Sequence, residues 1–265
     1  MLTLLPVLRE RLERGEALAL ATLVSRKGSA PRGRGARLLA GASGLVLGTV
    51  GGGAAEAAVL EVCAEVLRSG GSRLLNLALS NDMVAKEGMV CGGEVRVFVE
   101  CLLPDLETRG FFAAVEAAFH SGGVLLTRLT PGRDVARALY AAGRFSGAPF
   151  ESEAGKTFRA SLGGGDSLRE PAELSFDGHA YFVEPLFPPD RMIIAGAGHV
   201  AVPTAELAVF AGFSTHILDD RAEFARPDRF PGAASVRVAP EFAGCLAPFL
   251  PDARTYVVIV TRGHM

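Results

Sequence analysis

Met192-Ile193-Ile194-Ala195-Gly196-Ala197-Gly198-His199-Val200-Ala201 leads through an apolar run to Ser214-Thr215-His216-Ile217-Leu218-Asp219. A short apolar run, a glycine turn, a helical stretch and a second β-rich run make a βαβ unit: strand 192–195, turn 196–198, helix 200–211, strand 214–218. Gly196-x-Gly198-x-x-Ala201 fits a dinucleotide fingerprint whose third small residue serves close helix–strand packing. The turn offers a helix N-terminus, with free N–H groups and a positive dipole end, to a diphosphate. Asp219 closes the second strand 23 residues after Gly196, near the spacing of an acid that binds ribose hydroxyls. Gly196, Gly198, His199, Ala201 and Asp219 are the candidate nucleotide-binding residues. For His199 two readings stand, a ligand contact or a helix-start histidine satisfied by backbone or water. Asp220 is expected on the face opposite Asp219 if the strand pattern persists that far.

Working outward, Ser235–Val238 reads as a third strand and 255–260 as a fourth, lying beside the first in doubly wound order. The sequence then stops at Met265. Residues 191–265 are thus expected to form a Rossmann-like parallel-sheet module, incomplete at its C-terminus. Its outer strand would have an unpaired edge, so either a homodimer or a longer natural chain is expected.

Upstream, three glycine-rich pieces stand out: Gly28-Ser29-Ala30-Pro31-Arg32-Gly33, Gly48-Thr49-Val50-Gly51-Gly52-Gly53 and Cys91-Gly92-Gly93. Arg26, Lys27, Arg32, Arg34 and Arg37 cluster between residues 25 and 37 with no acid among them. Guanidinium groups clamp phosphates, so Arg32, Arg34 and Arg37 are candidate ligand contacts. Gly51, Gly52 and Gly53 precede a helix over 54–68, and their N–H groups can form an anion nest. Glu56 sits in that helix's first turn, where the dipole alone would favour a carboxylate; the other reading is ligand contact. Cys91 is the candidate soft thiolate, flanked by Gly92 and Gly93 on a loop over 80–93. Cys63, Cys101 and Cys245 read as packing.

Around these pieces the pattern gives an amphipathic opening helix from Leu2, Leu5, Leu8 and Leu12. Strands are expected at 17–24, 36–40, 45–50, 73–79 and 94–103, a helix at 106–119, and strands at 124–129, 173–176 and 180–186. Asp177-Gly178 marks a hairpin. Residues 143–165 are weakly patterned. The expected organisation is an N-terminal mixed α/β cofactor-binding domain over 1–104, a connecting α+β segment over 105–190, and the module over 191–265.

A net charge of −2 argues against a general nucleic-acid binder. Charges at Arg9, Glu10 and Arg11 come too early for a secretory signal, and no stretch reads as a membrane span; a cytoplasmic protein with reduced thiols is expected. The five histidines show no metal-ligand spacing, and neither a nucleophile elbow nor a Walker loop occurs. The residues suit holding a ligand better than transforming one.

The order of the motifs resembles the XdhC/CoxI family, accessory proteins of molybdenum hydroxylases. The matching residues are Gly28 to Gly33, Ala36-Arg37-Leu38-Leu39, Gly48 to Gly53 with Glu56, Cys91-Gly92-Gly93 followed by Glu100, Ile194 to Val200, Asp219-Asp220-Arg221 and Arg229-Phe230-Pro231. The resemblance implies binding of the molybdenum cofactor, as molybdopterin or its dinucleotide form, support of its sulfuration, and delivery to a xanthine-dehydrogenase-like apoenzyme. A cysteine desulfurase is a further implied partner. Cys91 would then face the molybdenum end of the cofactor. Two other readings of the residues remain: an NAD(P)-dependent oxidoreductase built on Gly196 to Asp219, and a protein–protein adaptor without a ligand.

Overall fold

Residues 18–24, Leu-Ala-Leu-Ala-Thr-Leu-Val, are apolar at nearly every position because their strand is buried on both faces. In the computed structural model this strand, β1 (Leu18–Lys27), sits at the centre of an antiparallel sheet with β2 (Arg37–Gly41), β3 (Gly44–Gly48), β4 (Ser72–Ala78) and β5 (Glu94–Leu102), in the order β3-β2-β1-β5-β4. Alternation divides its side chains between two cores. Leu18 and Leu20 face one that contains α1 (Leu5–Glu13), whereas Ala19 and Ala21 face one that contains α2 (Gly53–Ser69). The small residues on the second face let α2 approach closely through Val59, Cys63 and Val66. On the first face Leu5, Leu8 and Leu12 of α1 are fully buried, each worth about 1.5–3 kcal/mol of burial.

The structure describes residues 1, 3–78, 93–133, 135–147, 170–176 and 178–262. Cys91 and Gly92, with most of the expected loop, lie outside the described residues. The described chain forms two compact units, Met1–Phe187 and Pro188–Met265.

The first unit contains a second antiparallel sheet beyond α3 (Leu106–Ser121). It is built from β6 (Gly123–Arg128), β7 (Arg137–Ala141), β8 (Arg144–Gly147), β9 (Ala172–Phe176) and β10 (His179–Leu186), ordered β8-β7-β6-β10-β9. The stretch expected to connect two domains therefore builds a full sheet. Leu125, Leu139 and Leu186 from it share a core with α1, α3 and β1. Three ion pairs also cross between the sheets: Arg37–Glu184, Arg96–Glu173 and Arg137–Glu100. Ser72 N–H donates to the Gly132 carbonyl at 2.7 Å. Residues 1–104 and 105–187 thus lie in one unit.

The second unit is a parallel sheet of β11 (Arg191–Ala195), β12 (Ser214–Asp219), β13 (Ser235–Val238) and β14 (Thr255–Ile259), ordered β13-β12-β11-β14. α4 (Ala201–Phe210) packs on one face through Ala201 and Ala205 against Ile194 and Ile217. Residues 245–249 cover Ile193 and Leu218 on the other face. The order reverses between β11 and β14, as the sequence pattern required. Among the described residues β14 pairs with β11 alone, and its Tyr256, Val257 and Ile259 are exposed. No described helix is long and apolar enough to cross a membrane.

Candidate functional site

In the first unit the glycine-rich pieces meet at one end of the first sheet. β1 ends at Lys27 opposite Glu94, where β5 begins and β4 ends, and β3 ends at Gly48 opposite Leu38 near the start of β2. Residues 28–36, the 49–52 turn and Gly93 emerge together there. Gly93 crosses tightly: a Cβ on it would lie 2.4 Å from the Ser29 carbonyl oxygen and 2.6 Å from that of Lys27. No other residue fits that crossing. Gly51 packs under the Pro31 ring, leaving 2.9 Å for a Cβ. Arg26, Lys27, Arg32 and Arg34 are exposed here, and among the described residues none has an ion-pair partner. A cavity of about 320 Å³ at the same end is lined by Ser25, Lys27, Asn76 and Arg96 among others. Arg96 is itself held at 2.8 Å by both carboxylate oxygens of Glu173.

Arg37 is placed differently from its neighbours in sequence. Its side chain is buried in the ion pair with Glu184, and it donates a longer hydrogen bond to the Gly35 carbonyl at 3.3 Å. A ligand could engage Arg37 only by displacing Glu184. Residue 184 lies 147 positions away, so the cluster looked free of acids only along the chain.

The glycine nest before α2 is also partly filled from within. Glu56 accepts hydrogen bonds from the Val50 N–H at 3.2 Å, the Gly52 N–H at 3.3 Å and the Thr49 hydroxyl. Of the two readings left open for Glu56, the geometry supports the structural one: its carboxylate serves as the loop's own anion. Glu56→Gln will retain bulk but lose charge-assisted acceptance, and thermal or urea unfolding should show a loss of about 1–3 kcal/mol. A change within about 0.5 kcal/mol would mean that the loop holds its shape without the carboxylate.

Cys63 and Cys101 are poor ligands. Burial on α2 pushes the Cys63 thiol up to about 12, and burial also raises that of Cys101. Thiolates are thereby disfavoured. The described residues contain no cluster of His, Cys, Asp or Glu suited to a metal ion.

In the second unit the glycine turn is gripped through one peptide. Ala197 N–H donates to the Asp219 carboxylate at 2.6 Å, and the Ala197 carbonyl accepts from Arg229 at 2.8 Å. Gly196, with φ of +108°, lies so close to β14 that a Cβ would stand 2.6 Å from the Val260 carbonyl oxygen. Asp219, only 1% exposed, also accepts from the Arg221 N–H at 2.9 Å and from its guanidinium at 3.0 and 3.1 Å. Burial opposes the charge on Asp219, but the Arg221 guanidinium and the two N–H groups outweigh it and lower its pKa to about 2. The next N–H groups, of Gly198, His199 and Val200, find no acceptor among the described residues. His199 is exposed. Ala201, fully buried, packs in the helix–strand core as its place in the fingerprint requires.

A cavity of about 560 Å³ opens beside this turn, bordered by Asp219, Asp220, Arg221, Val257, Ile259 and Arg262 among others. Asp220 borders the same cavity as Asp219, not the opposite face, because β12 ends at Asp219 and alternation stops there. Sequence reasoning missed the internal use of Asp219. The signal was present in Arg221, a cation two positions beyond Asp219 and within reach of its carboxylate.

Residues 11–78 match the XdhC and CoxI family, and residues 192–265 match the XdhC Rossmann domain. A protein of Bacillus subtilis (strain 168) described as a probable xanthine dehydrogenase component is 27% identical over 231 residues, 84% of this chain and 65% of that protein. The uncharacterized protein YqeB of Escherichia coli (strain K12) is 35% identical over 81 residues, 31% of this chain and 15% of that protein. The chain thus spans less than two thirds of either curated relative. A crystal structure of a xanthine dehydrogenase from Bacillus halodurans superposes with a TM-score of 0.72 at 24% identity, covering 96% of this chain and 73% of that one. At that identity the likeness concerns the fold.

Proposed function

The chain belongs to the XdhC and CoxI family, and from that premise we propose that it is an accessory protein of xanthine-dehydrogenase maturation. It binds the molybdenum cofactor, supports its sulfuration and passes it to a molybdenum hydroxylase apoenzyme. The observation that carries this reading is the meeting of Gly28–Gly33, Gly48–Gly53 and Gly93 beside four cations that have no acid partner among the described residues. An exposed cationic surface on close-packed backbone fits the phosphate end of a pterin cofactor. The donors for that end are Arg32 and Arg34, aided by Arg26 and Lys27. Arg37 and Glu56 shape the site without facing the ligand. Cys91, two positions before Gly93 in the sequence, is the proposed soft contact to the metal end. The cofactor would supply molybdenum–dithiolene chemistry to the recipient enzyme; this chain binds, shields and releases it. In the second unit the glycine turn holds a nucleotide, either that of a dinucleotide cofactor or a separate one.

The test is occupancy. The protein, made in cells that synthesise the cofactor, is oxidised and its pterin fluorescence and molybdenum content measured. Arg32→Ala with Arg34→Ala should lower affinity about 10- to 150-fold for each charged hydrogen bond lost. Cys91→Ser should lower molybdenum more than pterin, and Cys63→Ser should change neither. Full occupancy in both the arginine and the Cys91 variants would rule this site out.

A further inference from the structure

Two adjacent carboxylates stand where β12 ends, Asp219 as its last residue and Asp220 just beyond, and their surroundings give them different work. Asp219 is sealed beneath the turn, its oxygens taken up by Ala197 N–H, Arg221 N–H and the Arg221 guanidinium. Asp220 stands at the cavity with its side chain 43% exposed. Its charged neighbours are the same guanidinium, 3.6 Å away, and the adjoining Asp219 carboxylate. That guanidinium is already committed. It makes two bonds to Asp219 and lies 3.7 Å above the Phe224 ring. Turning it toward a ligand would leave Asp219 buried without its counter-charge, which is costly. Two carboxylates against one guanidinium leave this corner net negative. Ala195, Leu246, Val257 and Ile259 supply an apolar wall across the cavity, and Arg262 supplies a cation farther along it.

We propose that this cavity accepts a nucleotide whose ribose carries a free 2′-hydroxyl and rejects its 2′-phosphorylated counterpart, with Asp220 as the hydroxyl acceptor and Asp219 as a positioning residue. The inference rests on the nucleotide reading of the glycine turn and adds its specificity. A hydroxyl can donate to the exposed part of the Asp220 carboxylate. A 2′-phosphate would meet uncompensated negative charge and find no free cation at that corner. Acids near this position bind a ribose hydroxyl and a nearby arginine admits a 2′-phosphate; here the arginine is present but spent on holding the turn.

Titration calorimetry of the full chain with NAD⁺ and NADP⁺ provides the test. The parent protein should bind NAD⁺ on the order of tenfold or more tightly than NADP⁺, the scale of one charged hydrogen bond. Asp220→Ala should weaken NAD⁺ about tenfold and narrow the gap. Asp220→Asn should admit NADP⁺ while retaining NAD⁺. Asp219→Asn should weaken both ligands equally, with faster amide exchange at Ala197 and unchanged melting of the first unit. Binding of NADP⁺ as tight as NAD⁺, or an unchanged ratio in Asp220→Ala, would overturn the inference alone. If neither dinucleotide binds the parent at millimolar concentration, the nucleotide reading itself fails and the inference with it.

Discussion

Replacing Glu184 by alanine will destabilise the first unit by about 3–5 kcal/mol, the cost of leaving one member of a buried pair without its partner. Arg37 and Glu184 are only 5% and 6% exposed. The remaining contact of Arg37 is one hydrogen bond to Gly35, and its Nε has no partner among the described residues. Removing the carboxylate would therefore strand a guanidinium in the interior, whereas removing both charges would not. Arg37→Met with Glu184→Leu should recover most of the loss, because well-packed apolar pairs replace buried ion pairs at little cost. Urea unfolding followed by probes in residues 1–187 reads both results. A loss below about 1 kcal/mol in Glu184→Ala would show that water reaches the pair. Arg37 opens β2 beside the glycine-rich end, so the single variant should also loosen that end.

Asp219→Ala in the second unit is expected to cost about 2–4 kcal/mol, since it leaves the Ala197 N–H without an acceptor and Arg221 without its main counter-charge. The wild-type protein should show the same dependence as a function of pH. The pKa of Asp219 in the folded state is lowered from 3.8 to about 2. Its contribution is therefore complete above about pH 4, and is lost as the pH falls from there toward 2. The difference amounts to about 2 kcal/mol. Acid titration of second-unit stability should lose that increment in the wild type and stay flatter across the same window in Asp219→Asn. Equal acid sensitivity in both proteins would assign the effect to other carboxylates.

The two units were not equally legible. β11, the glycine turn, α4 and β12 could be placed from spacing because the periodicity changes sharply at Gly196, and local sequence dictates such changes. The hairpin of β7 and β8 escaped notice for a local reason. Its turn is Ala142-Gly143, with φ of +49° and +77°. Such a turn is normally signalled by Asn-Gly or Asp-Gly, and alanine rarely adopts positive φ. Without that signal the hairpin merged with the weak pattern of residues 143–165, and the second sheet read as a connector.

The amino-acid sequence by itself determined the elements whose causes lie within a few residues: the buried strand 18–24, the helix after Gly53, the parallel module from Arg191, and the glycine-rich turns. Tertiary structure alone decided how the charges near those pieces are used. Arg37 lies in the same acid-free stretch of sequence as Arg32 and Arg34, yet it is neutralised by Glu184 from the other sheet. Asp219 has the spacing of a ribose acid, yet its carboxylate is spent on Ala197 and Arg221. A charge acts on a ligand only if folding leaves it unpaired. Pairing across sheets depends on which distant residues packing brings within about 3–4 Å, and no local spacing encodes that distance.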